Sequence, residues 1–125
     1  MNAYIEPKGF KGTQGELTIE KEADRYLHIS TPDGTAVASC YSEPMDEGVE
    51  YDAALFCQSK EMAKILQSAI EDEERKYQIE KESADWYNNN MPGVGQGSHQ
   101  YKTYPSLPEW VWKAKIILIN ARLLT

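Results

Sequence analysis

From Glu16 to Tyr41 the apolar residues tend to fall at every second position, and from Glu50 onward they recur every third or fourth. That one change of period constrains the fold more than any other feature, because period two belongs to a half-buried strand and period 3.6 to a helix face. Glu16-Leu17-Thr18-Ile19-Glu20 and Tyr26-Leu27-His28-Ile29-Ser30 both alternate. Thr31-Pro32-Asp33-Gly34 has turn chemistry: proline presets φ, and glycine accepts φ > 0. Thr35 to Tyr41 supplies the return strand of a hairpin. The first half therefore reads as a small antiparallel meander, about 16–41, preceded by an irregular arm over 1–15 that Pro7, Gly9, Gly12 and Gly15 punctuate.

After a loop over Ser42–Gly48, the residues Tyr51, Ala54, Leu55, Met62, Ile65, Leu66, Ala69 and Ile70 form one apolar stripe, which predicts a helix over about 50–85. Ser59 is placed to cap a restart inside it. The part beyond Glu71 has only Tyr77 and Ile79 as apolar contacts and is expected to project into water. Asn88 to Ser98, rich in Asn and Gly, ends the helix within a loop over 86–105. Ser106-Leu107-Pro108-Glu109 fits a capping box with proline in the first turn, opening a last helix over about 106–124. Leu107, Trp110, Val111, Ala114, Ile117, Leu118 and Ala121 line one face of it. The expectation is an α+β fold: one domain over 1–125, with the sheet and two helices around one core.

Composition narrows the function classes. The chain of 125 residues has a net charge of −7, a poor match to the DNA backbone, which needs clustered Lys and Arg. The charge is uneven. Residues 1–85 hold nine Lys/Arg against nineteen Asp/Glu, and residues 86–125 hold Lys102, Lys113, Lys115 and Arg122 against Glu109. The same tail carries six of the thirteen aromatics, so an acidic body is joined to a weakly basic, aromatic tail. No run of about 18 apolar residues suggests a membrane span, and the first residues lack the pattern of a secretory signal. Cys40 and Cys57 have no metal or disulfide spacing, which fits a reduced cytoplasmic setting.

Few residues invite catalysis. His28 sits in a strand on the face opposite Leu27 and Ile29, and His99 lies beside the glycine-rich loop. Gly93-Val94-Gly95-Gln96-Gly97 lacks the Lys-Ser/Thr of a phosphate loop and follows a helix rather than a strand. Cys57 is expected as a small hydrophobe on a helix, and Ser59 and Ser106 as caps. No catalytic residue, metal site or cofactor is expected. The aromatic-basic tail is the better candidate: Trp86, Tyr87, Tyr101, Tyr104 and Trp110 could stack on a base, with Lys102, Lys113, Lys115 or Arg122 at a phosphate; Trp112, off the apolar stripe, and His99, beside the glycine loop, are further ligand candidates. Such a site needs enclosure by the Gly93–Ser98 loop or by a second subunit, so a homo-oligomer is compatible with it. The alternative surface is the acidic run Glu71, Asp72, Glu73 and Glu74, which otherwise reads as a solvated helix face.

Three segments carry a resemblance. Lys11-Gly12-Thr13-Gln14-Gly15-Glu16-Leu17-Thr18-Ile19 is similar to the "T-P-G-E-W" opening of many small bacteriophage and prophage accessory proteins. Tyr51-Asp52-Ala53-Ala54-Leu55-Phe56-Cys57-Gln58-Ser59-Lys60-Glu61-Met62 resembles their "N-A-x-L-I-A-x-A-P-E-M-L" segment, with Lys60 where they have proline. Trp112-Lys113-Ala114-Lys115-Ile116-Ile117 resembles their terminal "K-A-x-x-A-I" helix. The resemblance implies phage origin and the host bacterial cytoplasm, and brings no agreed activity. The resulting expectation is a non-enzymatic accessory protein that binds stoichiometrically and acts against host defence. Its target is then a small nucleotide immune signal, slightly favoured, or a host defence protein such as a CRISPR or other nucleic-acid-binding effector. A regulatory phage protein without an antagonist role is the third reading.

Overall fold

The computed structural model describes residues 4–22, 26–41, 47–95, 97 and 99–124, without the side chains of 22, 41 and 47. Three strands form an antiparallel sheet in chain order: β1 (Thr18–Glu22), β2 (Tyr26–Ser30) and β3 (Ala36–Tyr41). Three helices follow, α1 (Glu47–Cys57), α2 (Ser59–Asn90) and α3 (Glu109–Asn120). The α+β class and the meander are as the periodicity predicts. Pairing runs Thr18↔Ser30 to Glu22↔Tyr26 and Tyr26↔Tyr41 to Ile29↔Ala38, with a bulge at Ile29/Ser30. The β2–β3 turn closes with Gly34 N–H donating to Thr31 O at 2.9 Å and Gly34 at φ 90°, where a side chain would be strained. Asp33 Oδ1 accepts from the Thr35 amide and from the Thr31 hydroxyl.

The sheet is narrower and the helices are longer than the sequence suggested. Glu16 and Leu17 precede β1. The first helical stretch starts by Glu47 and reaches Asn90, so the asparagine run is its last turn instead of its end; the predicted loop over 42–48 falls partly outside the described residues. Neither expected cap forms. Gln58 occupies the N-cap of α2 and Pro108 that of α3, both without a side-chain cap bond, so Ser59 is already helical and Ser106 lies outside α3. A break near Ser59 does occur, with Gln58 between the two helices.

Buried side chains form two clusters instead of one core. Leu17, Leu27, Ile29 and Ala53 join the inner face of the sheet to α1, with Val37, Ala38, Val49, Cys40 and Cys57 packed around them. Ile70, Val111, Ala114 and Leu118 join α2 to α3, with Ala63, Leu66 and Leu123. α2 and α3 are antiparallel, because Lys115 pairs with Glu74 at 2.9 Å while Tyr104, before α3, reaches Asp85 near the far end of α2. The acidic stretch of α2 is thus covered on one side by α3, not projecting freely into water.

The inward stripe of the first two helices is not the predicted one. Ala53, Cys57, Lys60, Ala63 and Ile70 face the interior. Of the stripe read from the sequence, Leu66, Ala69 and Ile70 are partly or fully buried, but Tyr51 is 68 % exposed, Leu55 59 %, Met62 50 % and Ile65 70 %. On α3 the same happens to Trp110 and Ile117, which stand out at the surface.

The N-terminal arm bridges the two clusters. Lys60 Nζ is buried against Glu6 Oε2 at 3.0 Å and donates to Thr13 O and Gly15 O, each at 2.8 Å. It lies 4.4 Å from the Phe10 ring centroid. Glu6 Oε1 in turn accepts from the Gly15 amide at 2.7 Å. Farther along α2, Gln67 makes a two-point amide contact with the backbone of Lys8, at 3.0 and 2.9 Å. Over 4–15 the arm is irregular, as expected, but it is held at Glu6, Lys8, Thr13 and Gly15.

Candidate functional site

The tail candidates separate into two places. One group gathers around the C-terminal end of α2, where the segment leading to α3 folds back onto it. Asn88 is buried and holds the backbone of Lys102 at two points: Asn88 Nδ2 donates to Lys102 O at 2.9 Å, and Lys102 N donates to Asn88 Oδ1 at 2.8 Å. That clamp sets Lys102 Nζ 4.4 Å from the Tyr87 ring centroid. It also places Tyr101 edge-on to Tyr104, centroids 6.4 Å apart. The Tyr104 hydroxyl donates to Asp85 Oδ1. This bond to a carboxylate, then one to Tyr101, pushes the Tyr104 phenol up to about 12.

Electrostatically this cluster suits an anion poorly. Its one lysine sits on an aromatic face, and the carboxylate of Asp85 holds its Tyr104. The adjoining groove of about 430 Å³ is lined by Ile79, Glu80, Ser83, Ala84, Lys102, Thr103 and Pro105 and is open to solvent. A second carboxylate, Glu80, therefore shares the groove with Lys102.

The remaining candidates lie elsewhere. Arg122 lines a groove with Lys8, Gly9 and Lys11, next to Leu123, which borders Gln67 of α2. From Gln67 to Asn88 is 21 residues of helix, or roughly 30 Å at 1.5 Å per residue, so Arg122 and Lys102 cannot meet one ligand within a single chain. Trp112 is 70 % exposed on α3, and Trp86 is 60 % exposed on α2. His99 is exposed. Gly93 and Gly97 have positive φ and open space about them. His28 Nδ1 lies 2.8 Å from Ser39 Oγ, a cross-strand pair that the β2–β3 register itself imposes on the outer face of the sheet.

The acidic run is not an unpaired acidic surface. Glu71 pairs with Lys8 at 2.5 Å, Asp72 with Arg75 at 2.9 Å, Glu73 with Lys76 at 3.4 Å and Glu74 with Lys115 at 2.9 Å. Each carboxylate has a cation within the chain. Sequence reading missed Lys60, Glu6, Asp85 and Asn88. No spacing in the sequence marks Lys60, because periodicity does not say which helix face turns inward.

Among the described residues, no group of His, Cys, Asp and Glu could hold a metal ion, and no helix is long and apolar enough to cross a membrane. No family model, no curated protein and no solved structure matches the chain.

Proposed function

We propose that this chain is a non-enzymatic phage accessory protein that acts in the host cytoplasm by binding a host defence protein stoichiometrically. The phage setting comes from the resemblance carried by the Lys11–Ile19, Tyr51–Met62 and Trp112–Ile117 segments. The observation that carries the choice of a protein target is the outward exposure of Tyr51 and Leu55 on α1 and of Met62 and Ile65 on α2. Exposed apolar side chains at four- and three-residue steps on a helix suit an apolar groove on another protein. Nucleotide sequestration is less well supported, because Glu80 shares the groove of Lys102, Asp85 holds the Tyr104 hydroxyl, and Arg122 lies at the other end of the helical hairpin. The paired carboxylates of Glu71–Glu74 speak against an acidic docking surface.

Two measurements on the full chain test this reading. Calorimetry against a panel of cyclic nucleotides and dinucleotides is expected to show no binding. Capture from host lysate is expected to retain a protein in fixed stoichiometry with wild type but not with Leu55→Asp. Micromolar binding of a nucleotide that Tyr101→Ala abolishes would replace the protein target by the small ligand.

A further inference from the structure

Most cations of this acidic chain are already matched. Among the described residues, every lysine and arginine except Lys11, Lys81 and Arg122 is paired with a carboxylate or set against an aromatic ring. Lys11 and Arg122, two of those three, line one groove of about 370 Å³ with Lys8, Gly9, Leu123 and Leu124. No carboxylate side chain is part of that lining. Glu71, the partner of Lys8, borders the neighbouring groove instead.

Two fixed turns build the groove. In one, Phe10 N–H donates to Pro7 O at 3.2 Å with Gly9 at φ 77°, and Gln67 ties the Lys8 backbone between them to α2. The other is the stop at the end of α3, where the Arg122 and Leu123 amides donate to Ile119 O and Leu118 O. The two walls abut, since a Cβ built on Gly9 would lie 3.7 Å from Leu123 O. Arg122 stands in the stop at φ 63°, a left-handed conformation that glycine ordinarily fills. The chain thus keeps a guanidinium where its backbone would prefer no side chain, and such outliers concentrate at ligand sites.

We infer that this groove binds a phosphate monoester through Lys11 and Arg122, with the aliphatic body of the ester on Leu123 and Leu124. Charge sets the class. A phosphate monoester carries about −1.5 to −2 at pH 7, which two unmatched cations balance, whereas a carboxylate or a phosphodiester brings one charge per group. Arginine offers a planar fork of donors that fits phosphate oxygens. No aromatic ring lines the groove, so the ligand needs no base. Leu123 and Leu124 also line the neighbouring groove with Ile70 and Leu118, which extends the apolar floor beyond the cations. This site goes beyond the target-binding reading and does not depend on it, since Tyr51 and Leu55 lie on α1.

A nuclear magnetic resonance titration of the full chain with butyl phosphate tests the inference. The Lys11, Arg122 and Leu123 amides are expected to shift saturably, with a dissociation constant lower than that of inorganic phosphate and about 10-fold or more below that of butyrate. Arg122→Gly is expected to weaken butyl phosphate on the order of 10-fold or more while keeping the fold, because glycine suits that φ. Lys11→Gln is the second variant and is expected to act in the same direction. A short peptide carrying phosphoserine identifies the source: tighter binding than butyl phosphate places the dianion on a protein, weaker binding on a small ester. Absence of saturable shifts at millimolar butyl phosphate overturns the inference. So does binding that survives both substitutions, or that butyrate equals. Leu55→Asp is expected to leave the titration unchanged, which keeps this site and the proposed target surface separable.

Discussion

Lys60 combines burial, charge and four partners in one side chain, and its environment accounts for the order of the N-terminal arm. It is the second residue of α2, where the backbone N–H has no partner within the helix, so both lysine and the proline of the resembling segment are compatible with helix there. Lysine adds an ammonium that three oxygen acceptors and an aromatic ring surround. Lys60→Met is expected to cost about 3–5 kcal/mol, because it leaves the Glu6 carboxylate buried without its cation. Adding Glu6→Gln should recover part of that loss. Urea unfolding of the single and double variants measures both, and limited proteolysis should cut the arm faster in the single variant. Tyr104 offers a pH test at the same scale. Its folded value of about 12 stands above the ordinary 10.0, so its contribution to stability is complete below pH 10 and lost as the pH rises through about 12. A spectrophotometric titration should show a late-ionising tyrosine that Asp85→Asn returns towards 10.

The end of α3 shows how an element can be finished by an unusual residue. Arg122 N–H donates to Ile119 O at 3.0 Å and Leu123 N–H to Leu118 O at 2.8 Å, the two bonds of a Schellman stop, with Leu123 packed back on the α2–α3 cluster. The stop requires a left-handed residue, and Arg122 supplies it at φ 63°, the one non-glycine with positive φ among the described residues. Glycine is the ordinary occupant. Arg122→Gly should therefore raise stability by roughly 1 kcal/mol through relief of backbone strain, and Arg122→Val, branched at Cβ, should lower it. Denaturation midpoints at one fixed chain concentration distinguish them. Elements were also where sequence signals misled. Ser59 and Ser106 have cap chemistry, but Gln58 and Pro108 take the positions, because the chain enters each helix from a direction set by tertiary packing.

On the scale of the whole molecule, the thin interior is the governing fact. The buried apolar residues among those described are Leu17, Leu27, Ile29, Ala53, Ile70, Ala84, Val111, Ala114 and Leu118, three of them alanines. Two small clusters tied by an arm bury little surface for a chain of this length. Leu118, buried at the α2–α3 contact, is a large share of so thin an interior, and Leu118→Ala is expected to cost about 2–5 kcal/mol in urea unfolding. The sequence by itself determined the order of strands and helices, the β2–β3 turn and the existence of α3, because these depend on local period and on glycine and proline dihedrals. It also revealed that the first two helices carry a strongly apolar stripe. Only the tertiary structure decided which way that stripe faces. Periodicity records that residues share a helix face, not what lies opposite. Here the face containing Lys60 and Gln67 turned inward, since the arm offered those polar groups partners, and the more apolar face was left in water.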